Sequence, residues 1–150
     1  MAAVPTSVSV VAVRTGNQIA ACTISSLVGV EISPENPKLL FVLKKESLTG
    51  NLINTQKVFT ISLLSKDQVD IAKEFSSNNP GLTNVTDASK SIAFIENQPL
   101  IHNSVTTWFC HLIKVETNYG GDMYIAGIES VKHSKDRSPL IYLNRNYVIS

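Results

Sequence analysis

The stretch Lys38-Leu39-Leu40-Phe41-Val42-Leu43-Lys44-Lys45-Glu46-Ser47-Leu48-Thr49 joins a short apolar run to the start of a helix. Residues 38–43 have the length of a strand and are apolar at consecutive positions, which reads as a strand buried on both faces. Ser47 is a good N-cap, and Leu48, Leu52 and Ile53 carry the helix to about Thr55. Lys44, Lys45, Ser47 and Thr49 gather two cations and two hydroxyls at that helix tip. Such a tip suits an anion, because its first backbone N–H groups lack partners and the helix dipole favours negative charge. A phosphate is the obvious candidate. Taken alone, the same residues better fit a plainer arrangement, in which Ser47 only caps its helix and the two lysines are solvated.

Outward from this segment the chain is rich in Val, Ile and Thr, in short runs separated by Gly, Pro, Asn and Ser. Residues 7–14 alternate as a strand and turn at Thr15-Gly16-Asn17 into a second strand region, residues 19–30. Residues 58–64 alternate again, with Phe59, Ile61 and Leu63 opposite Thr60 and Ser62. A second helix is expected from Ser65, where Ser65-Lys66-Asp67-Gln68 fits a capping box and Val69, Ala72 and Phe75 share a face. Residues 76–90 read as a polar surface excursion. Residues 91–95, 105–116, 124–133 and 140–143 read as strands, with turns at 96–99, 118–122 and 134–139. Six or seven closely spaced strands with two early helices describe a closed or nearly closed antiparallel barrel. No repeat and no linker divides residues 1–150, so one domain is expected.

Apolar residues make up 43% of the chain and charged residues only 17%, below the roughly 25% usual for soluble domains. A deficit of charge with a full apolar quota points to surface buried in a dimer interface. The net charge is +1 and the basic residues are scattered, unlike the footprint of a nucleic-acid binder. No apolar run approaches the ~18–20 residues of a membrane span. Cys22 and Cys110 lie inside apolar runs, and Thr6, Ser7 and Ser9 interrupt any secretory pattern at the N-terminal stretch. A reduced, cytoplasmic, soluble protein is the expectation.

His102, His111 and His133 show no metal-ligand spacing, and His111 and Cys110, adjacent in a strand, point to opposite faces. There is no Walker loop and no Gly-x-Gly-x-x-Gly turn opening a helix. What remains is a set of hydroxyls at a strand end. Thr23 and Ser25 share a face within Ala21-Cys22-Thr23-Ile24-Ser25-Ser26.

Taken in order, several stretches resemble the flavin reductase-like family, whose fold is the FMN-binding split barrel. Residues 5–11 resemble its opening strand, and residues 21–27 its flavin-contacting Thr-x-Ser-Ser stretch. Residues 37–42 leading to Ser47 and Thr49 resemble the segment that carries the flavin phosphate site. Residues 59–64 followed by Gln68 to Phe75 resemble the family's strand and short helix ending in Phe. Trp108-Phe109-Cys110, Gly121-Asp122-Met123, and Pro139-Leu140-Ile141-Tyr142 with Tyr147 are similar to three later family motifs. There are departures. Met123 stands where a histidine close to nicotinamide and flavin is usual, and Gly29 and Glu31 stand where small hydroxyl residues are common.

The resemblance implies a mainly β, antiparallel Greek-key split barrel with two short helices that binds FMN or FAD and uses NAD(P)H as co-substrate. It implies an NAD(P)H:flavin oxidoreductase, working as a homodimer and supplying reduced flavin to a partner such as a monooxygenase. By the same resemblance Thr23, Ile24, Ser25 and Ser26 would contact the ring system and ribityl chain, and Lys44, Ser47 and Thr49 the phosphate. Phe75, Ser76 and Tyr147 would border the pocket, with Met123 on the nicotinamide side; packing roles serve Phe75, Ser76, Tyr142 and Tyr147 equally well. No catalytic acid–base pair is expected, since a flavin carries its own redox chemistry. The Met123 departure motivates an alternative: a flavin-binding electron-transfer or storage protein without reductase activity.

Overall fold

Residues 9–15 place an apolar set on each face of one strand, Val11 and Val13 on one side and Val10 and Ala12 on the other, and both sets are buried. A strand covered on both faces needs two cores, and the fold supplies them. The computed structural model describes residues 3–31, 33–76 and 81–148. The chain runs β1 (Thr6–Ser7), β2 (Ser9–Thr15), β3 (Gln18–Ile24), β4 (Val28–Glu31), β5 (Lys38–Lys44), α1 (Leu48–Gln56) and β6 (Val58–Leu63). It continues through α2 (Val69–Glu74), β7 (Thr83–Asn84), β8 (Ile92–Ile95), β9 (Gln98–Ile101), β10 (Thr106–Glu116) and β11 (Gly121–His133). It ends in β12 (Ile141–Leu143) and β13 (Asn146–Val148).

Eight strands form one antiparallel sheet in the order β4-β5-β11-β10-β6-β2-β3-β7. The sheet curls until β3 and β5, far apart in that order, contact each other. This is the expected split barrel. The first core fills the curl. Phe41 and Tyr124, cross-strand partners, stack with centroids 5.2 Å apart, and Phe59 meets Phe41 edge-on at 5.7 Å. Helix α1 packs against β2, β3 and β6, with Ile53 buried in the same cluster. The second core lies across the sheet, where Val8, Val10, Ala12, Leu64, Ala72, Ile101 and Leu140 meet. It is covered by α2, the β8–β9 hairpin and the small β1-β12-β13 sheet.

Several expectations need correction. Residues 19–30 are not one strand: β3 pairs with β2, the chain breaks at residues 25–27, and β4 pairs with β5 instead. The β5 segment is not buried on both faces. Leu39, Phe41 and Leu43 are buried, while Leu40 is half-buried and Val42 is 37% exposed, because they lie on the outer face of the sheet. Helix α2 starts later than Ser65, with Gln68 as its N-cap. Half of the capping box survives: Ser65 N–H donates to Gln68 Oε1 at 2.9 Å, while the Ser65 hydroxyl turns to Asp67. The polar excursion holds β7 and a short 3₁₀ turn, Val85–Asp87. Strands β9 and β13 fall where no strand was expected.

Helix α1 begins as its sequence predicts. Ser47 is extended at its cap (φ −61°, ψ 134°), and its hydroxyl accepts from Gly50 N–H at 3.2 Å. Lys57 ends the helix in the left-handed region at φ 68°. Gly50 is where the helix presses on the stacked pair, since a Cβ there would overlap the Tyr124 hydroxyl. Gly50→Ala is therefore expected to lower stability by ~1–3 kcal/mol in urea denaturation, despite the ~1 kcal/mol gain in helix propensity. An unchanged or raised midpoint would show that Tyr124 yields freely.

Candidate functional site

Where β3 meets β5 the strands do not pair. On this side β4 covers β5 only from Lys38 to Leu40, and β7 covers β3 only at Gln18 and Ile19. At Val42 and Thr23 the edges find other partners. Val42 N–H donates to the Ser26 hydroxyl at 2.9 Å, and that hydroxyl donates back to Val42 C=O at 3.3 Å. Thr23 N–H donates to Phe75 C=O at 3.0 Å, and the Thr23 hydroxyl to Ala72 C=O at 2.8 Å. The end of α2 is thereby fastened to β3. The seam stays open, and a cavity of about 670 Å³ occupies it.

The cavity has three parts. One wall is residues 22–26 with Phe75 and Ser76 from the end of α2. The opposite wall is residues 42–48, from the end of β5 through the tip of α1. Gly120 and Gly121, at the β10–β11 turn, form the third. Gly121 is required there, because a Cβ would stand 2.7 Å from Val42 Cγ1 and 3.0 Å from Leu43 O. At the α1 tip the amides of Leu48 and Thr49 have no acceptor within the helix. Beside them the two lysines differ. Lys45 is committed: its ammonium donates to Thr117 C=O at 2.6 Å and to Asp122 Oδ1 at 2.9 Å. Lys44 is exposed and lines the cavity.

Of the residues singled out from the sequence, Thr23, Ile24, Ser25, Ser26, Lys44, Ser47, Phe75 and Ser76 all line this one cavity. Strand-end hydroxyls and helix tip are thus brought together across the seam. Most of the hydroxyls also hold the frame. Thr23 and Ser26 bond as above, Ser47 caps α1, and Ser76 donates to Lys73 C=O at 3.0 Å. Their remaining lone pairs can accept from a ligand's N–H or O–H groups.

Three residues lie elsewhere. Thr49 is fully buried behind the wall, its hydroxyl beside Cys22. Tyr147 packs with Tyr142, centroids 5.1 Å apart, against the second core. Met123 lies on the outer face as the cross-strand partner of Val42, next to the cavity rather than in it. Sequence reasoning missed Val42, Leu43 and Leu48, whose apolar side chains carry no chemical signal. It also missed Cys22, although that residue stands inside the hydroxyl run.

The sequence matches the family described as "Flavin reductase like domain" over residues 1–149, and the chain belongs to that family. Its structure is similar to the NADH:FAD oxidoreductase of Streptomyces globisporus C-1027 in complex with NAD and FAD fragments. That similarity has a TM-score of 0.84 at 18% identity, covering 98% of this chain and 86% of the other. The styrene monooxygenase flavin reductase of Pseudomonas putida S12 is similar with a TM-score of 0.83 at 18% identity, covering 98% and 92%. The flavin reductase component of a bacterial two-component tryptophan halogenase gives 0.87 at 17% identity, covering 98% and 91%. No curated protein matches the chain by sequence. At these identities the structures establish the fold.

Burial pushes the Cys22 thiol up to about 11, a shift only partly offset by the neighbouring Thr49 hydroxyl. The folded protein therefore keeps the thiol protonated through neutral pH, and the reactive thiolate is about one part in a thousand at pH 8. In a Cys110→Ala background, the rate of iodoacetamide alkylation at Cys22 should rise about tenfold per pH unit and still be rising at pH 10. A plateau by pH 9 would contradict this.

Proposed function

We propose that this chain is an NAD(P)H-dependent flavin reductase that binds FMN or FAD in the seam cavity as a homodimer and releases reduced flavin to a separate oxygenase. One observation carries the reading. A single cavity joins strand-end hydroxyls to a helix tip where Leu48, whose amide has no acceptor within the helix, stands beside an exposed lysine. Its volume lies within the range of cofactor sites. Its apolar wall at Val42, Leu43, Leu48 and Phe75 suits a flat ring, and its α1 end suits a phosphate.

When bound, a flavin supplies hydride acceptance from a nicotinamide and delivery of the electrons onward. The residues of this chain bind and orient. The Leu48 amide and the Lys44 ammonium would hold the phosphate, with Ser47 fixing the helix tip. Lys45, neutralised by Asp122, contributes less. Backbone groups of residues 23–26 and the Ser25 hydroxyl would meet the polar edge of the ring, and Thr23 and Ser26 would accept from hydroxyls of the tail. Thr49, fully buried behind the wall, would make no contact.

The outer face supports the homodimer. Val28, Leu40, Val42, Met123 and Ile125 lie on adjacent strands there, exposed or half-buried, and Val42 also lines the cavity. A second copy seated on this face would cover the apolar surface and close the site. Two free thiols suit a reducing compartment such as the cytoplasm. Among the described residues no helix is long and apolar enough to cross a membrane. The flavin reductases named above belong, by description, to monooxygenase and halogenase systems, which favours a diffusible reduced flavin as the product. Met123 favours a second reading, a flavin carrier without turnover, because a thioether cannot hold or pass a proton as histidine does.

The test is oxidation of NADH and NADPH with FMN, FAD or riboflavin added to protein sedimenting as two chains. Turnover with a flavin is the expected result. Tight flavin binding with no turnover would select the carrier reading, and refusal of every flavin would remove both. Lys44→Ala should weaken FMN binding by roughly threefold to tenfold while leaving riboflavin, which has no phosphate, unaffected.

A further inference from the structure

The turn between β10 and β11 is held by a side chain from outside its hairpin. Thr117 and Asp122 bracket it, and Lys45 reaches across from the end of β5 to bond both. The Asp122 side chain is only 17% exposed, so one end of this clasp is shielded from water. The turn is therefore braced at each end by a residue beside the α1 tip. On it stands Tyr119, 62% exposed, the most exposed large hydrophobic side chain among the described residues. Its neighbours in the chain are Gly120 and Gly121, both on the cavity wall. Nothing lies within 4 Å of where a Cβ of Gly120 would stand, so the space beside that glycine is open. Gly121 is the cross-strand partner of Lys44, which puts the turn alongside the anion-binding end.

We propose that Tyr119 is a stacking platform for the adenine of FAD, whose diphosphate lies at the α1 tip and whose flavin half occupies the cavity. This rests on the flavin reading above. Bracing the turn lowers the backbone entropy lost when a base stacks on its ring. The phosphates would run along Lys44 and the Leu48 amide, and the bare glycine backbone lets the linking sugar pass. FAD carries this adenylate half, whereas FMN does not. FMN is therefore an internal control. The Lys45 clasp is a positioning device, acting through the turn it holds.

The experiment measures dissociation constants for FMN and FAD in the wild type, Tyr119→Ala and Tyr119→Phe. Tyr119→Ala should weaken FAD binding by about tenfold, with FMN affinity unchanged. Tyr119→Phe should behave as the wild type, since the ring and not the hydroxyl makes the contact. Equal losses for FMN and FAD, no change in any ligand, or a Phe variant as poor as the Ala variant would overturn the proposal. A wild type that binds neither flavin would instead remove the underlying flavin reading. Intact flavin binding with an indifferent Tyr119→Ala removes only the stacking platform.

Discussion

The Ser26 hydroxyl, bonded to both the N–H and the C=O of Val42, determines the form of the site. A curled sheet whose edges meet has two outcomes. Either the edges pair and the barrel closes, or each exposed backbone group must find another partner. Here the second holds. Ser26 serves β5, and Thr23 with the end of α2 serves β3, so the seam is satisfied without being zipped. A cavity left between strands in this way has polar walls at its strand ends and apolar walls where the core shows through. It is suited to a ligand that is flat and apolar in one part and polar in another.

The two cores keep this seam from collapsing. Phe41, Phe59 and Tyr124 fill the curl behind it, and Gly50 lets α1 lie close against that stack. The second core, around Leu64, Ala72 and Leu140, anchors α2 and hence the carbonyls that Thr23 needs. The site therefore depends on both faces of β2 being buried. The outer face of β5 and β11 has no such cover and keeps its apolar side chains in solvent, where they are available to a second chain.

Much of the fold was legible because it is local. Alternation at residues 58–63, the cap at Ser47 and the capping glutamine at residue 68 are signals that neighbours in sequence create for one another. What was not legible depends on distant partners. Nothing in residues 19–30 marks the break after Ile24, because its cause is Val42, sixteen residues beyond Ser26. Strand β9 hides its character behind Pro99 and follows left-handed residues at Glu96 and Asn97. Eight of the residues picked out by type share the lining of one cavity, yet Thr49 and Tyr147 turn away from it. A helix-tip hydroxyl and a C-terminal tyrosine carry no local mark of which side they face. Lys44 and Lys45 read alike in sequence, and only the clasp on Asp122 distinguishes them.

The open seam is tested most directly by backbone amide exchange with and without saturating FMN. Slowed exchange confined to residues 23–26, 42–49 and 120–121 is the expected result, with Val42 among the affected amides. Protection centred on the second core near Ile101 and Leu140, or none at the seam while FMN is bound, would contradict it.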